Sequence, residues 1–183
     1  MNSIKIKRPV LFMITAVLIA GIILIAFVVT KDPFRYQENK SPYDVGILLE
    51  NKTQYIGNNS KVGALIDAMP LPEGVFRDKF ELYIDMAPYG LTIYYHLDDD
   101  SLRISEEQFL RNSVLLFALV DNLDKVEHIG FWNNKALSST PFRFTYTRAD
   151  ADRIVGGDVR QFAESDEKLA ELIEIVQLLK EDK

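Results

Sequence analysis

The 183-residue chain has no cysteine, two histidines and one tryptophan. Without cysteine there is no disulfide framework, which sets it apart from small stapled secreted modules, and there is no thiolate nucleophile or thiolate metal site. The lipid attachment of a bacterial lipoprotein is excluded as well. Leu18-Ile19-Ala20-Gly21 has the look of its approach, but Ile22 stands where the cysteine would have to be. No HExxH run, phosphate-loop signature or nucleophile elbow occurs. Positive charge is also scarce. Removing Lys5, Lys7 and Arg8 from the 21 basic residues leaves 18 against 27 acidic ones beyond residue 30, a net of −9. Such a surface does not attract nucleic acid or other polyanions, so a nucleic-acid partner is not expected.

What the chain does have is one long apolar run. Pro9 to Thr30, PVLFMITAVLIAGIILIAFVVT, contains 22 residues without a charge, and about 20 suffice to cross a bilayer as a helix. The run is longer than the apolar part of a cleaved signal peptide and ends in Phe27-Val28-Val29 instead of small residues. The expected organisation is a cytoplasmic stretch 1–8, a signal anchor 9–30 in contact with the lipid bilayer, a spacer 31–40 and a folded domain 41–183. Lys5, Lys7 and Arg8 before the span outnumber Lys31 and Arg35 after it, which orients the N-terminus inward and the domain outside the membrane.

Within the domain, periodicity gives the elements. Ser41-Pro42 suits the start of a short helix through Leu49, with Gly46 as its weak point. Val62, Leu65, Ile66 and Met69 form one face of a helix that stops near Pro70. The preceding stretch YIGNNSKVG places Asn58, Asn59 or Ser60 at the cap. Its sharper reading is an anion or ligand loop built from Gly57, Asn58, Asn59, Ser60 and Lys61 at a helix N-terminus. On the capping reading, Lys61 contributes little to stability.

Phe80, Leu82 and Ile84, then Leu91, Ile93, Tyr95 and Leu97, alternate with polar neighbours and predict a hairpin across Met86 to Gly90. Ser105 and Gln108 have capping-box spacing before an all-round apolar helix. Val126 to Trp132 and Phe142 to Arg148 predict a second strand pair. Thr147 with Asp150 caps a helix ending at Gly156-Gly157, and Asp166 to Lys180 is amphipathic. The fold class is α+β, a two-layer domain with an antiparallel four-stranded sheet covered by helices in ββα-ββα order.

The segments YIGNNSKVG, APYGLTIYY (87–95), NSVLLFALVDNLDKV (112–126) and FTYTRADADRIVGGDVRQFAE (144–164) resemble an uncharacterised domain-of-unknown-function family of Bacillus-type Firmicutes. The resemblance implies a membrane-attached or lipoprotein-like protein with a sensory or interaction role. Similar domains are appended to membrane metallopeptidases of the beta-lactam-sensor type. No metallopeptidase segment is present in this chain, so that activity does not transfer, and the family supplies no catalytic residues to carry over.

Chemistry has one foothold. His96 followed by Asp98, Asp99 and Asp100 is the place where an imidazole meets several carboxylates, and it defines an alternative, a metal-dependent hydrolase. Three aspartates after a strand also make an ordinary solvated turn, and the spacing is not that of a calcium loop. His128 shares strand parity with Gly130 and Trp132 and reads as a structural or exposed residue. Asp150 and Asp152 read as helix-start acids. The expectation is therefore a non-enzymatic binding or sensory domain without cofactor or metal, whose partner is a protein in the membrane or envelope. An immunity or inhibitor-type role toward a membrane partner is a further alternative.

Overall fold

The computed structural model describes residues 41–98, 103–132 and 141–179. The expected anchor at 9–30, the spacer at 31–40, and Asp99 and Asp100 lie outside the described residues. Among the described residues no helix is long and apolar enough to cross a membrane.

The first helix, α1, is Val45–Glu50, and its cap is Asp44, whose Oδ1 accepts the Ile47 N–H at 3.0 Å. Ser41 does not serve as the cap; its Oγ accepts the Tyr43 N–H instead. Helix α2, Asn59–Asp67, starts from Asn58, whose side chain accepts the Lys61 N–H at 3.3 Å. Val62, Leu65 and Ile66 are buried along its inner face, and Met69 is buried just past its end.

Strand β1, Val75–Tyr83, begins five residues before the alternation at Phe80 would place it. The reason is a bulge between Arg77 and Lys79. The extra residue shifts the inward side chains from odd positions, Val75 and Arg77, to even ones, Phe80 and Leu82, and so hides the first half of the strand from a period-two reading. Ile84 continues the even parity but lies beyond the strand and is 48 % exposed. Strand β2, Gly90–Leu97, pairs antiparallel with β1.

Helix α3, Glu107–Leu119, carries the chain back along the sheet. Its start departs from the expected capping box. Ser105 Oγ accepts the Glu107 N–H, while the Gln108 amide turns away to Tyr43 Oη and Asn112 Oδ1. Strands β3, Lys125–Trp132, and β4, Phe142–Thr147, follow as an antiparallel pair. Thr147 and Asp150 form a complete capping box for α4, Arg148–Val155, which ends at Gly156 in the left-handed conformation, φ 72°. A turn of 3-10 helix, Val159–Ala163, leads to α5, Asp166–Gln177, with Leu169, Leu172, Ile173 and Val176 buried. Asp152 accepts the Val159 N–H at this junction and is not a helix-start acid.

The sheet order is β1-β2-β3-β4, four strands as expected, but the sheet is mixed. Its central pair, β2 and β3, is parallel, with Gly90 beside Lys125 and Leu97 beside Trp132. A strand followed by a helix spanning the sheet re-enters at the end where it began, so parallel pairing follows from the length of α3. Leu91, Ile93, Tyr95, Leu97, Val126 and His128 face the helices and are buried. Helix α3 is buried on nearly all sides, since α4, α5 and the 3-10 turn pack on it as well. Phe142 lies so close over Gly130 that a β-carbon there would meet its ring at 1.9 Å.

Candidate functional site

The loop Tyr55 to Gly63 is a structural joint. Asn58 is spent on the cap, and Lys61 Nζ donates to the carbonyls of Glu50 at 3.2 Å and Lys52 at 2.9 Å. The ammonium thus closes the end of α1 instead of standing free beside the N-terminus of α2. The Ile56 N–H donates to Asn122 Oδ1 at 2.7 Å, which ties the loop to the turn after α3. Gly57 and Ser60 are exposed, and Asn59 lines a groove against β1. The five residues are contiguous, but their polar groups do not converge on one point.

His96 lies on the face of the sheet away from the helices, with its ring stacked on Phe76 at 5.3 Å. Asp98 is exposed at the strand end. No group of three or more metal-ligating side chains gathers among the described residues.

A set that sequence spacing did not reveal lies in the core. His128 is fully buried, with Nδ1 2.7 Å from Tyr95 Oη and Nε2 2.8 Å from Ser113 Oγ. Three elements meet here, β2, β3 and α3. Burial pushes the imidazole down to about 3 and raises the Tyr95 phenol above its usual range. Serine, histidine and a hydrogen-bonding third group are the ingredients of nucleophilic catalysis. Access is what they lack. The adjoining void, between Arg77, Tyr95, Asn112 and His128, holds about 10 Å³, room for no more than one water. Phe109, Phe142, Phe144 and Tyr146 close the remaining sides as an aromatic cluster. The set joins α3 to the sheet and is closed off from solvent.

The exposed chemistry is on the other sheet face. Register aligns Phe76, His96 and Phe131 in one row, Lys79, Tyr94, Ile129 and Arg143 in the next, and Glu81, Thr92, Glu127 and Thr145 in a third. Phe76 and Phe131 are 45 % and 47 % exposed, and Tyr83 is 52 % exposed beyond the third row. Glu81 accepts from Lys79, Tyr83 and Tyr94, and the Lys79 ammonium first among these holds its carboxyl below the usual range. Burial would raise Glu127, but hydrogen bonding from Arg143, with help from Lys125, lowers it. Both carboxylates are therefore ionised acceptors with partners, unsuited to act as a general acid. A depression of about 320 Å³ lined by Tyr83, Pro88, Thr92, Lys125 and Glu127 opens at the hairpin end of this face. The face offers aromatic edges, fixed charges and a shallow pocket, which are the materials of recognition.

Against known proteins, residues 48–141 match the family model DUF4825, a domain of unknown function. That stretch runs from α1 through β3 and includes most of the open face. No curated protein and no solved structure matches the chain.

Proposed function

We propose, from the premise that the chain belongs to the DUF4825 family, that it is a membrane-anchored binding or sensory domain of a bacterial envelope, without chemistry of its own. The observation that carries this reading is the uncovered sheet face, where Phe76, Tyr83 and Phe131 stand about half exposed among ion-paired side chains. A sheet that closes its own core on one side and leaves aromatic residues on the other is suited to meeting a protein. The uncharged run 9–30 and its basic flank support the anchor and the outward position of the domain. The test is a photoreactive residue at position 131, compared in intact cells with one at Glu174 on the solvent side of α5. Adducts to an envelope protein from position 131 alone are expected. Equal adducts from both, or none from 131, would sink the reading.

A further inference from the structure

Strand β1 is an edge. It pairs with β2 on one side, and among the described residues no other segment joins its ladder. An exposed edge is a template for another strand, and which strand it takes is decided by the side chains along it.

On β1, Lys79 and Glu81 stand on the open face, joined by an ion pair of 2.6 Å, with Phe80 between them on the opposite face. This three-residue pattern is its own complement. An antiparallel copy related by a two-fold axis through Phe80 would set each Lys79 opposite the partner's Glu81 and Phe80 opposite the partner's Phe80. Both charge contacts are favourable, and none opposes like charges. The other edge, β4, carries a single charged side chain, Arg143, so no two-fold axis there creates an opposite-charge pair. A groove of about 390 Å³ runs along β1, lined by Asn59, Ile66 and Asp67 of α2 and by β1 from Arg77 to Phe80. It gives the partner's Phe80 a place to sit.

We propose that β1 is a self-association edge, and that two copies of this chain pair antiparallel about Phe80 into a continuous eight-stranded sheet. The bulge between Arg77 and Lys79 confines regular pairing to a few residues. The association is therefore weak and reversible. It goes beyond the proposed binding by the open face, although Lys79 and Glu81 stand on that same face.

The test uses the full chain in detergent micelles, followed by sedimentation equilibrium. Lys79→Glu places two acids on each edge, and Glu81→Lys places two bases there. Each variant alone should be weakened in self-association by about tenfold or more, because both favourable pairs become repulsive. Mixing the two variants should restore association as a heterodimer, since an acidic edge then meets a basic one. That rescue also shows that neither variant is misfolded. A wild-type chain that stays monomeric up to about 1 mM, the weak end of specific association, would overturn the proposal. So would a dimer indifferent to both substitutions, or a mixture that fails to pair.

Discussion

His128 has hydroxyl groups at both ring nitrogens and, among the described residues, no carboxylate bonded to it, so burial holds its imidazole neutral. The folded value is near 3 and the ordinary one 6.5. A depressed histidine binds its proton more readily when unfolded, so the stability it contributes is full above pH 6.5 and is lost as pH falls toward 3. Between pH 7 and 5 this single group should remove about 2 kcal/mol. Urea titrations at the two values, on the wild type and on His128→Gln, isolate the effect. The variant should start lower but lose less on acidification, and equal slopes would show that His128 is not the titrating group. Lys61 makes a second residue-scale case. An exposed first-turn lysine would be dispensable, but this one satisfies two carbonyls at the end of α1. Lys61→Ala should therefore lower stability by about 1 kcal/mol, comparable to the 0.5 to 2 kcal/mol expected for Asn58→Ala. Thermal melts would show it, and an unchanged melt for Lys61→Ala would return the residue to the role of a free surface cation.

Lys61 belongs to a pattern that emerges among the helices. Four of them, α1, α2, α3 and α5, have no basic residue in their last turn. Each receives a cation from elsewhere at its negative end. Lys61 closes α1, Arg77 bonds the Ile66 carbonyl in the last turn of α2 and the Met69 carbonyl just past it, Arg111 reaches the Leu179 carbonyl past α5, and Arg148 gathers those of Phe117, Val120, Asp121 and Leu123 at the end of α3. The dipole and the unpaired carbonyls both favour this arrangement. Arg148 serves the most buried helix, so Arg148→Met should cost about 2 to 4 kcal/mol and speed amide exchange in the last turn of α3. A loss below 1 kcal/mol would mean that water replaces it freely. Such cations were not legible in the sequence because their partners lie up to 31 residues away or, for Arg111, 68. Local signals fared better. A cap among Asn58, Asn59 and Ser60, the Thr147–Asp150 box, the Gly156 stop and the α5 face are readable because each is decided within a few residues. Strand positions were legible too, except where the bulge broke parity, but period two says nothing about a strand's neighbour. The parallel β2–β3 pairing and the Ser113–His128–Tyr95 set depend on that neighbour, and both escaped.

At the scale of the molecule, the two sheet faces divide the work. The inner face and the helices make a closed core around His128, while the outer face keeps Phe76, Tyr83 and Phe131 about half exposed beside the buried Ile129 and Thr92. This asymmetry has a use only if the domain sits where its partner is, which makes orientation the property on which the proposed function turns. The uncharged run 9–30 with Lys5, Lys7 and Arg8 before it favours an N-terminus inside, because cytoplasmic flanks retain basic residues. The domain's own excess of acid does not oppose export, since carboxylates contribute little to that rule. Alkaline phosphatase, which is active only after export, should therefore be active when fused after Lys183, and a fluorescent protein that matures only in the cytoplasm should be dark at the same junction. Reversing the flank, with Lys5, Lys7 and Arg8 changed to Ser and basic residues added between Lys31 and Arg35, should shift both signals together. A bright fluorescent fusion with an inactive phosphatase on the unaltered chain would place the open face in the cytoplasm, and the search for its partner would have to begin there.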